Sequence, residues 1–177
     1  MAEDKNSFFN ESGKAGLVLA AAATAYFILS MLIGKTGMSG FVAGTLGFLL
    51  WAAKVWLCIY LMVKYLRDEA GRNGKDRSRT FRFGCMVALC SALVYAAAYL
   101  FYVMFIDPET FSHTFDTIAQ LYSGSFTTEQ MDTLMNMEAS MPTVSFFVNL
   151  LWCSLFGTVI SAIASSRICG PDNPFEE

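Results

Sequence analysis

No lysine or arginine occurs between Arg82 and Arg167. Just before that interval, residues 64–82 carry seven bases, Lys64, Arg67, Arg72, Lys75, Arg77, Arg79 and Arg82, against three acids, Asp68, Glu69 and Asp76. Inside it stand six acids, Asp107, Glu109, Asp116, Glu129, Asp132 and Glu138, and no base. A charge-free apolar run separates the two polar stretches. Insertion into a bilayer retains lysine and arginine on the cytoplasmic side. Polar stretches of opposite sign flanking a span-length apolar run therefore read as opposite faces of a membrane. Few folds satisfy this. In hydrocarbon every backbone N–H and C=O must be bonded internally, and runs of this composition do so as helices.

Composition agrees. The 177 residues are 55% hydrophobic and only 15% charged, with mean hydropathy +0.46, where a soluble domain carries about 25% charged residues. The net charge of −3 averages two stretches of opposite sign. Nucleic-acid binding is not expected, because the bases are confined to one short stretch. Cys58, Cys85, Cys90, Cys153 and Cys169 form neither a CxxC nor a Cys/His ligand cluster. They read as small apolar side chains rather than a disulfide framework or metal site.

Four spans follow, within a single all-α membrane domain covering residues 1–177. Residues 15–34 are uncharged and flanked by Lys14 and Lys35; residues 41–63 are apolar except for Lys54; residues 83–106 and 142–166 are uncharged. Each meets the roughly 20 helical residues that a bilayer core requires. The first run outlasts the apolar core of a cleaved signal, and its leader has three acids against two lysines, so it reads as a span. The positive-inside rule then places the loop 64–82 and both termini in the cytoplasm, with residues 35–40 and 107–141 outside. Lys35 is the one dissenting charge.

The outer segment reads as an amphipathic helical hairpin. Asp107, Pro108 and Glu109 supply a cap, a first-position proline and a first-turn acid. Phe111, Phe115, Ile118 and Tyr122 then share one helical face. Ser123, Gly124 and Ser125 break that helix. Thr127 with Gln130 opens a second one as a capping box, with Met131, Leu134, Met135 and Met141 roughly on one face. Pro142 is expected to mark the turn into span four. The lack of bases argues against binding anionic lipid here, so a cap packed on the bundle is the expectation.

Lys54 is the only charge inside a span. It lies nine residues from the inner end of span two, roughly 13 Å deep. A lysine at mid-bilayer costs about 3 kcal/mol on insertion scales. Counting the same depth along the other spans gives Thr24, residues 91–95 ending at Tyr95, and residues 154–158 ending at Thr158. Lys54, Thr24, Tyr95 and Thr158 are therefore the candidate ligand-binding residues. Tyr95, Tyr99 and Tyr102 share a face that extends this polar level outward. The alternative is that Lys54 snorkels to the inner headgroups, leaving Trp51 and Trp56 as ordinary apolar neighbours; the sequence leaves both open. Gly40 and Gly44 form a GxxxG, and Gly157, Ser161 and Ser165 a small-residue ladder, both suited to packing within the bundle. His113 shares a helix turn with Glu109 and Asp116, which reads as a solvated face because a metal site needs more ligands.

Several stretches resemble the domain-of-unknown-function 4199 family. Tyr65-Leu66-Arg67-Asp68 and Phe81-Arg82-Phe83-Gly84 are similar to the middle of that family. Ile106-Asp107-Pro108-Glu109-Thr110-Phe111 resembles its junction after span three, Phe126-Thr127-Thr128-Glu129-Gln130 its second outer helix, and residues 157–167 its final span. The chain departs from it at residues 72–82, which are more basic than the family's glycine-rich turn. The resemblance implies a four-span bacterial inner-membrane protein and brings no catalytic residues.

Three function classes remain. A non-enzymatic scaffold, accessory or lipid- or ligand-interacting protein fits best, with no cofactor and with the bilayer as its partner; the basic loop 64–82 is able to hold anionic lipid. A small oligomeric transporter or channel using Lys54 is the alternative. A membrane enzyme using Asp107, Glu109 and Asp116 ranks last, because capping and solubility explain those acids.

Overall fold

The computed structural model describes residues 2–34, 40–122 and 127–170. Among these residues the chain is all helical. The elements are α1 (Ala2–Gly34), α2 (Gly40–Arg72), α3 (Arg77–Phe101), a π-helical segment (Tyr102–Ile106), a 3-10 turn (Pro108–Thr110), α4 (Ser112–Tyr122) and α5 (Thr128–Ile168). The 35–39 connection with Lys35, and the break at Ser123, Gly124 and Ser125, lie outside the described residues. Four stretches are long and apolar enough to cross a membrane: Ser7–Ile33, Gly44–Arg72, Arg77–Ile106 and Asp132–Ile168.

The side chains are sorted as lipid, not water, would sort them. Buried positions include Ala20, Ala88, Ala92, Ala96 and Ser161, while Leu93, Leu155, Val159 and Ile163 point outward. Lipid tails solvate large apolar side chains as well as a protein interior does, so helix association is driven by close packing of small residues. The α3–α5 contact shows this. A Cβ added at Gly157 would lie 2.5 Å from the Ala88 Cβ. Gly84 lies directly against Ser161, and Ser161 and Ser165 are buried. The Ser161 hydroxyl donates to the Gly157 carbonyl at 2.8 Å, so it is satisfied within its own helix. α1 joins α3 in the same way, through Gly16 against Cys90.

The two small-residue motifs part company here. The ladder Gly157, Ser161 and Ser165 packs the bundle, as expected. Gly44 of the GxxxG has open space around it, and the surroundings of Gly40 are not among those described. The reason is how α2 docks. Its buried side chains are Met62, Leu66, Glu69 and Ala70, whereas Phe41, Phe48 and Trp51 in its first half are exposed. Among the described residues, the buried side chains of α2 all lie in its C-terminal half.

That half belongs to the basic end, where the expected 64–82 loop is corrected. α2 runs on to Arg72 and α3 begins at Arg77, so only residues 73–76 connect them. Local chemistry explains the short turn. Gly74 and Lys75 adopt φ of 64° and 62°, ending α2 in the left-handed region, and Lys75 N–H donates to Ala70 C=O at 2.9 Å. The Asp76 carboxylate caps α3 by accepting from the Ser78 and Arg79 amides at 2.9 and 3.2 Å. The charges also tie helices together. Arg72 pairs with Glu11 of α1, and Arg79 Nε lies 3.4 Å from buried Glu69 of α2, which also accepts from Asn73. Arg79 stacks over Phe8 at 5.9 Å, and Phe8 meets Phe83 edge-on. A core of Ala15, Leu19, Met62, Leu66, Phe83, Val87, Ala88 and Ala164 sits just inside this clasp.

The opposite end differs from expectation in three ways. Asp107 stands at the N-cap position with Pro108 behind it, but its carboxylate makes no capping bond; it accepts from the Tyr102 hydroxyl at 3.1 Å. The π-helical segment, closed by Asp107 N–H to Tyr102 C=O, brings the two together. Pro142 marks no turn: it lies inside α5, a continuous helix of 41 residues that contains both the second outer helix and span four. Its start is the expected capping box, Thr127 N–H donating to Gln130 at 2.9 Å and Gln130 N–H returning to Thr127 at 3.4 Å. Finally, α4 packs on the N-terminal stretch of α5 and on the Pro108–Thr110 turn, with Phe111 facing Met135, Ala139 and Pro142. It therefore leans on α5 instead of capping the bundle, because the continuous α5 offers the nearest apolar surface. Phe115 is buried, as its place on the apolar face requires.

The contrast between the glycines is testable. Gly157→Leu must overpack the α3–α5 seam and is expected to destabilise the bundle by about 1–3 kcal/mol, whereas Gly44→Leu should be nearly neutral. Denaturation in mixed micelles reads both, and equal losses would contradict the packing described.

Candidate functional site

The Lys54 side chain crosses the bundle. Its Nζ stands 4.9 Å from the Tyr95 ring centroid on α3 and 5.0 Å from the Tyr26 ring centroid on α1. Both distances lie within cation–π range, where each ring contributes ~0.5–2 kcal/mol depending on desolvation. The ammonium is thus directed at two aromatic faces and not along its own stem toward the headgroups. Of the two readings the sequence left open, the inward one describes its geometry.

The half-exposed lysine lies in a groove of about 240 Å³ between α2 and the other three long helices. Aromatic and aliphatic side chains make most of the wall, with Trp51 on α2 and Trp152 and Phe156 on α5; Ser91, Cys58 and Cys153 are its remaining polar or polarisable groups. No carboxylate lines it. Among the described residues no group of three His, Cys, Asp or Glu converges anywhere, and His113, Glu109 and Asp116 are exposed.

The groove lies along the less buried stretch of α2. Near Met62 and Leu66 the helices are in full contact, and one turn below them Cys58 and Val55 already border open space. Small residues on the facing helices, Ala23, Ala88 and Gly157, leave the volume unfilled. The upper wall is stiffened by aromatic packing. Buried Phe27 contacts Tyr95, Tyr99 and Tyr102 at centroid distances of 6.4, 5.5 and 5.1 Å, so the expected tyrosine face is in fact a cluster built around an α1 phenylalanine. That cluster holds Tyr95 where its ring can meet Lys54.

Of the four residues named from sequence, Lys54 and Tyr95 meet. Thr24 and Thr158 do not line the groove, and the Thr158 hydroxyl donates to Ser154 C=O at 2.8 Å. Depth counting found the right height but not the right azimuth. At about 100° per residue, Tyr26 replaces Thr24, while Cys153 and Gly157 replace Thr158. Ser91, inside the counted window, does line the groove. Tyr26 is the contact that sequence reasoning missed. The sequence carried only a partial signal, an aromatic residue two positions from the counted level; the rotation that selects it is set by the buried stripe Ala15, Leu19, Ala23 and Phe27.

Pairing Lys54→Met with Tyr95→Leu in a double-mutant cycle should give a coupling of about 0.5–2 kcal/mol in unfolding free energy. A coupling of zero would mean that the ring and the ammonium do not interact.

Comparison with known proteins gives one match. No curated protein and no solved structure is detectably similar to the chain. The model of the family described as protein of unknown function (DUF4199) matches residues 14–168, which takes in Lys54, both tyrosines and the α3–α5 seam, and the chain belongs to that family.

Proposed function

We propose that the protein is a non-enzymatic, ligand-holding component of the bacterial inner membrane, and that the Lys54 groove is its binding site. One observation carries the reading: an ammonium group set in an apolar groove, braced by two rings and facing no carboxylate. A charge removed from water without an anion is costly. Cation–π contact offsets part of that cost and leaves the three N–H donors available. A bound acceptor would complete the site.

The groove's shape sets the ligand class. Its volume of about 240 Å³ falls below the ~300–1,000 Å³ of ordinary small-molecule pockets. It takes a headgroup or a length of chain, and the rest of the molecule would extend between α2 and α5 into the bilayer. The ligand is therefore an amphiphile with one anionic or strongly accepting group. No carboxylate or histidine lines the groove, so it carries no paired acid and base, which supports a binding role over an enzymatic one.

The termini and the clasp of Glu11, Arg72, Glu69 and Arg79 are assigned to the cytoplasm, with α4 and the N-terminal stretch of α5 outside. The distribution of bases supports this orientation.

Two outcomes are expected. Protein extracted with native lipids should carry an amphiphile, seen by native mass spectrometry, that Lys54→Met loses and Lys54→Arg partly keeps. Identical profiles for wild type and Lys54→Met would remove the groove from consideration, and substrate flux in proteoliposomes that requires Lys54 would favour a transporter instead. Separately, a reporter fused at residue 125 should read extracytoplasmic; a cytoplasmic signal would reverse the topology.

A further inference from the structure

A second crevice runs along the α2–α5 seam, nearer the basic end. Ile59, Val63, Ile160, Ile163 and Ile168 make its apolar floor, and Arg67 of α2 and Arg167 of α5 stand at its border. Ile160 also lines the Lys54 groove, so the two spaces adjoin. From Lys54 to Arg67 is thirteen residues along α2, or about 20 Å. The arginines therefore lie at the headgroup level if Lys54 lies near the middle of the bilayer.

These two arginines differ from the others at this end. Arg72 and Arg79 are engaged by Glu11 and Glu69. Among the described residues no carboxylate pairs with Arg67 or Arg167, and none lines their crevice. Asp68, although next in sequence to Arg67, faces a separate space with Glu11, Lys14 and Glu69 on the far side of α2. Two guanidiniums from different helices, without a carboxylate partner among the described residues, thus border one branched aliphatic floor.

We infer that this crevice is a binding site for an anionic glycerophospholipid of the leaflet at the basic end, with the phosphate accepting from Arg67 and Arg167 and one acyl chain lying against the isoleucines. Guanidinium forks match phosphate oxygens geometrically. A zwitterionic lipid would bring its own ammonium beside the two arginines, so the charge pattern selects headgroups without a cation. The floor offers no hydrogen-bonding group, which fits a chain and not a soluble phosphate. Anchored there, the lipid would fill the crevice between α2 and α5. The inference does not depend on a ligand at Lys54.

The test uses full-length protein in nanodiscs of mixed phosphatidylglycerol and phosphatidylcholine, with retained lipid counted by native mass spectrometry. Each arginine near a membrane surface contributes about fivefold in anionic-lipid affinity, so Arg67→Gln with Arg167→Gln should reduce the phosphatidylglycerol preference about 25-fold. Arg82→Gln, exposed at the same end but outside the crevice, should reduce it by no more than that single fivefold increment. Ile163→Trp, which fills the floor and leaves the charges, should also lower retention. An unchanged preference in the double arginine variant, or an equal loss in Arg82→Gln, would overturn the site. Displacement of the lipid by millimolar glycerol phosphate would overturn the lipid as its occupant. Lys54→Met should leave the preference intact.

Discussion

The contact on which the rest of the structure depends is the close approach of α3 and α5. Gly157 against Ala88 and Gly84 against Ser161 bring two long helices into backbone range. In a bilayer there is no hydrophobic gain from hiding leucines, so contacts between small surfaces hold the helices together. With α1 docked on the same helix through Gly16, α3 becomes the spine of the bundle. α2 has no equivalent seam. Gly44 and Gly47, the glycines of its first half with described surroundings, meet nothing, and its buried side chains lie toward the far end.

That attachment is electrostatic as well as apolar. Glu69 is buried, yet it accepts from Asn73 and faces Arg79, which in turn stacks on Phe8. A buried carboxylate is tolerable only when partnered in this way. The clasp joins α1, α2 and α3 at one level, and Cys169 meets Thr80 at 3.6 Å to bring in the end of α5. The bundle buries α2 at this end and leaves a space along its preceding turns. The Lys54 groove is therefore a consequence of where the helices are fastened, and not a local irregularity.

Most of this frame is legible in the sequence, for a physical reason. Span length and charge asymmetry follow from the bilayer's thickness and the insertion rule, which act on composition alone. Hence the four apolar helices and the capping box at Thr127 are where they were expected. Helix continuity is less legible. Residues 64–82 and 127–141 are polar and so read as loop or separate helix, but polar residues continue a helix readily, as α2 and α5 show. Pro142 misleads in the same way: proline removes one backbone hydrogen bond, yet α5 runs through it unbroken. Azimuth is the least legible quantity. Lys54 and Tyr95 were found by depth, while Thr24 and Thr158 required the rotation of each helix, which only the packing of Gly16 and Gly157 decides.

The two spaces along α2 also constrain one another. Ile160 is common to both, so a chain lying against the isoleucine floor would press on the wall of the Lys54 groove. A ligand that extends out of that groove between α2 and α5 would in turn run toward Ile59 and Val63. The two spaces thus share one wall residue while their charged groups, Lys54 on one side and Arg67 with Arg167 on the other, remain separate. α2 lacks a small-residue seam of its own, which makes it the element whose position lipid or ligand can set. The glycine at position 44, with open space about it, is consistent with a helix whose first half faces lipid more than protein.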